Sequence, residues 1–212
     1  MEKPKISVIM PTFQRPFMLK RAIESVIAQT FKEWELIIVS DGDETALDTV
    51  KQFSDPRIVY IMLPRRYRDT GSTPKNIGII LSHADFIAYL DDDNIYNPNH
   101  LETLYNLIQE KKVDFVYCST ELRNQSDPNV IVGIRNEPAP GYGAIDTSEV
   151  LHKKELIWKF GLWKNTDYTD VYPWGELSGN YGTDWNLFSR WLEGKATWAH
   201  SNKVTLIYNY RR

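Results

Sequence analysis

Three consecutive aspartates, Asp91, Asp92 and Asp93, close the apolar run Phe86-Ile87-Ala88-Tyr89-Leu90. Carboxylates crowded in this way need a partner. At about 4 Å two like charges repel by ~1 kcal/mol in water and by ~4 kcal/mol at an effective dielectric of about 20, so in a cleft the triplet implies a divalent cation or a set of donors. Side chains alternate along an extended backbone, which predicts Asp91 and Asp93 on one side and Asp92 on the other. An Asp-x-Asp pair could then hold a metal while the middle residue does another job. A solvated acidic turn is the plain alternative. A calcium loop is a second one, since Asp91, Asp93 and Glu102 fall at loop positions one, three and twelve. It fails because Ile95 stands where an oxygen ligand is required, Tyr96 where the turn needs glycine, and Pro98 opens a helix.

Other polar residues gather where apolar runs end. Ile6 to Met10 reads as a strand that runs into Pro11-Thr12-Phe13-Gln14-Arg15, and Trp34 to Val39 as one that runs into Ser40-Asp41-Gly42-Asp43. Between and after them lie helical patterns. Leu19, Ala22, Ile23, Val26 and Ile27 repeat as one buried stripe; Thr73-Pro74 caps a helix whose expected apolar face is Ile77, Ile80, Leu81 and Ala84; Asn97-Pro98 opens one with Leu101, Leu104 and Ile108 inward. A short strand is expected over Ile58 to Met62. Strand and helix alternate, so the fold class is α/β: a mostly parallel central sheet flanked by helices, with ligands at the carboxyl ends of the strands. Thr12, Arg15, Asp41 and the triplet would then face one crevice. No Gly-x-Gly-x-x-Gly follows the first strand and no Gly-x-x-x-x-Gly-Lys-Ser/Thr occurs, so a nucleotide would have to be held by side chains and a metal.

With 212 residues, 42% of them hydrophobic, the chain has the size of one domain. A net charge of -3 does not suggest a nucleic-acid partner. Cys118 is the only cysteine, which excludes an internal disulfide and fits a reducing compartment, hence a cytoplasmic location. No apolar run approaches the roughly 18 residues of a membrane span.

The second half differs. After Tyr117 the alternation stops, and Val130 to Arg135 reads as part of a small antiparallel element. Six of the seven tryptophans lie between Trp158 and Trp198. On the helix expected over Asp184 to Leu192, Phe188, Trp191 and Leu192 keep core spacing. Trp163 and Trp174 border or occupy an irregular stretch and are candidates for sugar contact, with packing as the alternative.

Taken together, these motifs resemble the nucleotide-sugar glycosyltransferases of the GT-A fold, family 2. Pro11-Thr12-Phe13-Gln14-Arg15-Pro16 is similar to the family's opening loop, Asp41 to its uracil-binding aspartate, and Leu90-Asp91-Asp92-Asp93 to its Asp-x-Asp motif. Gly71 with Lys75-Asn76-Ile77-Gly78 resembles its Arg-Asn-x-Gly segment, with Lys in place of Arg. Asp92 to Tyr96 with Pro98, and Ala144-Ile145-Asp146 before Val150-Leu151-His152, are most similar to the spore-coat polysaccharide glycosyltransferase. The resemblance covers nearly the whole chain. It implies one GT-A domain over 1–212, with a nucleotide-sugar-binding half at 1–117 and an acceptor-binding half at 118–212, and leaves room for further domains in a longer protein.

Carried onto these positions, the family implies that Thr12 and Asp41 bind uracil, with Pro11 beside them, that Arg15 lies near the donor, and that Asp92 touches the ribose. Asp93 would ligate Mn²⁺ or Mg²⁺, with Asp91 as an indirect or second ligand. Lys75 and one of Arg65, Arg66 and Arg68 are candidates for the diphosphate, with a solvated loop as the alternative for the arginines. A single-displacement transfer needs a base opposite the leaving group. Asp184 in Gly182-Thr183-Asp184-Trp185 matches the family's position for it; without the family it reads as a helix cap. Asp146 is the second carboxylate expected near the hexose or acceptor, and His200 matches a late position where some GT-A enzymes hold metal. The implied activity is inverting, metal-dependent transfer of a hexose from a UDP-sugar, UDP-glucose or a relative, to a glycan or glycoconjugate hydroxyl. A non-catalytic nucleotide-sugar or glycan-binding module is the alternative from another class; a sugar nucleotidyltransferase lacks the expected Gly-rich opening loop.

Overall fold

A computed structural model describes residues 3–124, 126–164 and 182–210. Trp174 lies outside the described residues. The first half alternates as the sequence predicts: β1 (Ile6–Thr12), α1 (Pro16–Ile27), β2 (Trp34–Ser40), α2 (Thr45–Val50), β3 (Ile58–Met62), α3 (Ser72–Leu81) and β4 (Phe86–Tyr89). These strands run parallel in the order β3-β2-β1-β4. Register then places the strand ends. Thr12 lies opposite Ser40, and Ile9 opposite Tyr89, so the chain leaving β4 runs beside Met10 to Thr12.

The second half adds β5 (Ile95–Tyr96), α4 (His100–Lys111), β6 (Phe115–Asn124), β7 (Ile131–Arg135), a 3₁₀ turn at Thr147–Glu149, β8 (Val150–Lys153), α5 (Glu155–Phe160), α6 (Gly182–Glu193) and β9 (Trp198–Tyr210). The sheet continues β4-β8-β6-β9-β5. β8 pairs antiparallel with both neighbours, β9 runs parallel to β6, and β7 folds back antiparallel on the far end of β6. The expected antiparallel element is therefore larger than one hairpin. β8 is the switch, because antiparallel pairing on both sides lets the sheet continue without a second run of crossover helices.

Alternation along the strands fills two cores. Val8 and Met10 of β1, Leu36 and Ile38 of β2 and Ala88 of β4 meet α1 and α4 on one face. Ile9, Ile37, Val39 and Tyr89 meet α3, α5 and α6 on the other. Leu19, Ala22, Ile23 and Val26, and Leu101, Leu104 and Ile108, are buried as their spacing predicts, and Phe188 and Trp191 are core.

Helix α3 departs from expectation. Ile80 and Leu81 are 51% and 47% exposed, while the inward face is Ser72, Pro74, Lys75, Gly78 and Ile79. The reason is close approach: a Cβ on Gly78 would lie 2.5 Å from Cγ2 of Ile9, so the helix backbone rests directly on β1. Gly78 therefore faces the sheet at the point of contact, while Ile80 and Leu81 turn outward.

Candidate active site

The ends of β1 and β4 converge on the aspartate triplet. Thr12 Oγ1 donates to Asp92 Oδ2 at 2.7 Å, and one guanidinium nitrogen of Arg15 bridges Asp92 Oδ1 at 2.9 Å and Asp93 Oδ2 at 2.8 Å. A single arginine reaching both carboxylates corrects the expected alternation of the triplet. β4 ends at Tyr89, and the chain turns at Asp92 and Asp93, with Asn94 N–H donating to Asp91 C=O at 3.0 Å. In a turn, neighbouring side chains no longer point to opposite faces.

This turn is held from the second half. Ser148 Oγ accepts from Asp91 N–H and from Asn94 Nδ2, each at 3.1 Å. From β9, Asn209 donates its side-chain amide to Asp93 C=O and its backbone N–H to Asn94 Oδ1. Ser148 and Asn209 are positioning residues that sequence reasoning missed, and Asn94, noted there only as part of the Asp92 to Tyr96 motif, is a third. Each is a common polar residue in an ordinary turn or strand, and only the pairing of β5 with β9 brings Asn209 to the triplet.

Asp41 follows β2 and is buried. Its carboxylate accepts from the backbone N–H of Tyr67 at 2.9 Å and of Arg68 at 3.4 Å, tying the basic loop to the strand end. Gly42 permits this: its φ is +70°, and a Cβ would lie 2.2 Å from the carbonyl carbon of Arg65. Arg66 lays its guanidinium 3.7 Å over the Phe13 ring, and Gly71 packs beside Pro11. Asp43, another residue missed, accepts from Gln14 N–H at 2.9 Å. Burial opposes its charge, but hydrogen bonds from Thr45 and Gln14 outweigh it and hold the carboxyl below the usual range.

In the second half, Asp146 caps the 3₁₀ turn, accepting from Ser148 N–H at 3.1 Å while Glu149 accepts from Asp146 N–H at 2.9 Å. Glu149 is paired with Arg135 at 2.7 Å. Asp184, in the first turn of α6, has a 30% exposed side chain and lies 3.7 Å from Lys75 Nζ. Trp163 is buried, with Lys75 Nζ 4.4 Å from its ring centroid, so what it touches is a residue of the site as well as the core. His200 stacks on Tyr117 with centroids 4.5 Å apart and meets Ser119 Oγ at 3.1 Å. These contacts seat His200 of β9 against β6.

The electrostatics are those of a carboxylate excess. Burial, then repulsion from Asp93 and Asp184, lifts the Asp91 carboxyl to about 6 against the pull of Lys75 and Arg15. Burial also raises Asp92, and burial together with Asp184 and Asp91 raises Asp146 well above the ordinary range. Such a cluster suits a hard cation. Among the described residues no three His, Cys, Asp or Glu side chains are set to enclose one. Mg²⁺ or Mn²⁺ does not require that, because it binds through one or two carboxylates plus substrate phosphates. Asp93, with Asp91 beside it, fits that pattern.

Comparison with known proteins identifies the family and the fold. A model of "Glycosyl transferase family 2" matches residues 7–175. The Escherichia coli UDP-Glc:alpha-D-GlcNAc-diphosphoundecaprenol beta-1,3-glucosyltransferase WfgD is 32% identical over 130 residues, which are 60% of this chain and 49% of that protein. This chain thus spans about half the length of that relative. Among solved structures, Staphylococcus aureus TarS in complex with UDP superposes with a TM-score of 0.75 at 15% identity, over 97% of this chain and 60% of that one. A mannosyltransferase from Pyrobaculum calidifontis in complex with GDP-Man and Mn²⁺ gives 0.71 at 12% identity, over 100% and 59%. The fold is the GT-A fold. With the family model covering most of its length, the chain belongs to glycosyl transferase family 2.

Proposed function

We propose that the chain is the GT-A domain of an inverting glycosyltransferase that moves a hexose from a UDP-sugar to a hydroxyl of a glycan or glycoconjugate. The observation that carries the reading is the convergence of two carboxylate sets: the triplet at the ends of β1 and β4, and Asp184 on α6, with Lys75 charge-coupled to both Asp184 and Asp91. The glucosyl donor and β linkage in the name of the Escherichia coli relative support UDP-glucose or a related hexose and inversion at an α-configured donor. The manganese in the mannosyltransferase complex supports a divalent ion.

In this reading residues 1–117 take the donor and residues 118–212 the acceptor. Pro11, Thr12 and Asp41 frame the uracil, Asp92 takes the ribose, and Arg15 and Arg66 add positive charge beside the donor. Asp93, with Asp91, would hold Mn²⁺ or Mg²⁺, which neutralises charge on the departing diphosphate. Asp184 accepts the acceptor's proton as the hydroxyl oxygen bonds to the anomeric carbon, while the bond to the diphosphate breaks and its electron pair leaves with UDP. Asp146 contacts the hexose or acceptor. The test is Asp184→Asn assayed with UDP-glucose and a lipid-linked or oligosaccharide acceptor: turnover falls by about 10²-fold or more, the weight of a general base, while UDP binding by calorimetry is retained. Unchanged turnover removes Asp184 from the mechanism.

A further inference from the structure

Lys75 occupies an unusual place for a lysine that is to greet a diphosphate. It is 4% exposed, on the inward face of α3. Its Nζ lies 3.7 Å from Asp184 Oδ1 and 4.4 Å from the centroid of the Trp163 ring. Burial disfavours its charge, yet attraction from Asp184, and then from Asp91 and Asp146, more than compensates and holds the ammonium above its ordinary range. A buried ammonium faced by carboxylates and covered by an aromatic face is a fixed charge, and its stem has little freedom to swing.

The next residue fixes the cover. Asn76 grips the backbone of Trp163 in both directions, donating Nδ2 to its C=O and accepting from its N–H, each at 2.9 Å. Tyr89 and Phe188 meet the indole edge-on, with centroids at 5.2 and 6.2 Å. Gly78, one turn on, lets α3 sit against Ile9 and sets the depth at which Lys75 emerges. Lys75, Asn76 and Gly78 therefore work as one device: a charge, the clamp on its lid, and the close contact that places both.

We propose that Lys75 is a positioning residue for Asp184, holding the base's carboxylate in place and balancing its charge from within the protein, and that it is not a donor-phosphate contact. The inference rests on the reading of Asp184 as the base. In the transfer Lys75 keeps its proton; only the acceptor's proton moves, onto Asp184.

The test is a double-mutant cycle on kcat together with UDP affinity. Lys75→Met is expected to lower kcat by about 10²-fold, as losing an effective base does, and to leave the UDP Kd within about twofold. Lys75→Arg, which keeps the charge, is expected to recover kcat to within about tenfold of wild type. In an Asp184→Asn background Lys75→Met adds less than about twofold, because a residue acting through another has nothing left to act on. Asn76→Ala, which leaves lysine and aspartate in place but frees the lid, lowers kcat without weakening UDP and serves as the test if Lys75→Met does not fold. A fall in UDP affinity parallel to the fall in kcat, or multiplicative losses in the double variant, overturns the inference. Wild-type turnover in Asp184→Asn alone overturns the base assignment instead, so the two failures are told apart.

Discussion

Asp91 shows what a crowded carboxylate costs a ligand-free protein. Its folded pKa of about 6 stands above an unfolded value of about 3.9, so the folded state binds the extra proton between those limits. The stability this group contributes is complete at the lower limit and is lost as pH rises through about 6. Glu35, Asp43, Asp55 and Asp114 behave oppositely: hydrogen bonds hold them below the usual range, and their contribution is lost only in more acidic solution. Between pH 5 and 8 Asp91 is thus separated from these four, and shares the window with its raised neighbours Asp92 and Asp146. Its side chain keeps some solvent contact, which screens the repulsion and leaves a penalty of ~1–2 kcal/mol. Asp91→Asn is expected to raise the ligand-free Tm at pH 8 by about 2–6 °C and to flatten its rise toward pH 5, as followed by scanning calorimetry. An unchanged Tm and slope would show that the carboxylate already has its charge balanced. At this scale much of the candidate site was legible: Thr12, Arg15, Asp41 and the triplet end apolar runs, and a parallel sheet gathers such ends. Ser148 and Asn209 were not, because nothing local distinguishes a serine in a turn or an asparagine in a strand until a distant partner needs its hydrogen bond.

At the scale of elements, glycine sets how closely parts approach. Gly42 is the sharper case, since its obstacle would be backbone: the added Cβ meets Arg65 and Arg66 main-chain atoms at 2.2 and 2.4 Å, and φ is +70°. Gly42→Ala must push the basic loop away from β2, and the amides of Tyr67 and Arg68 move off Asp41 with it. A loss of ~2–4 kcal/mol is expected, from a positive φ plus a backbone clash, together with at least about tenfold weaker UDP binding by calorimetry. Normal UDP affinity in a folded Gly42→Ala protein would disconnect the loop from the donor. The same physics explains which elements could be read. Helices α1 and α4 bury the aliphatic stripes Leu19, Ala22, Ile23 and Val26 and Leu101, Leu104 and Ile108, so periodicity located their inner faces. Helix α3 buries a glycine and a charged lysine and leaves Ile80 and Leu81 outward, so an apolar pattern pointed the wrong way. Such an inversion marks a helix whose inner face serves a site and not only a core.

Across the whole molecule the candidate site is shared. β1, β2 and β4 supply Thr12, Arg15, Asp41 and Asp92, whereas Asp146, Ser148, Asp184 and Asn209 come from the part of the sheet joined through β8. On the proposed reading a ligand bound there would touch both halves and so stabilise the entire fold. At a UDP concentration 100-fold above its Kd the gain is about 2.7 kcal/mol. For a chain of this size that is a Tm rise of about 5–10 °C. The role of the cation can be read from the same experiment. With no enclosing set of three ligands among the described residues, Mn²⁺ alone is expected to shift Tm by less than about 2 °C, and Mn²⁺ with UDP by more than UDP alone. Asp93→Ala should remove that metal-dependent increment and keep the UDP shift, while Asp41→Ala should diminish the UDP shift itself. A full shift from Mn²⁺ without nucleotide would mean that the protein alone completes a metal site; equal shifts for UDP with and without Mn²⁺ would remove the cation from donor binding and leave Arg15, already bridging Asp92 and Asp93, as the positive charge the diphosphate meets.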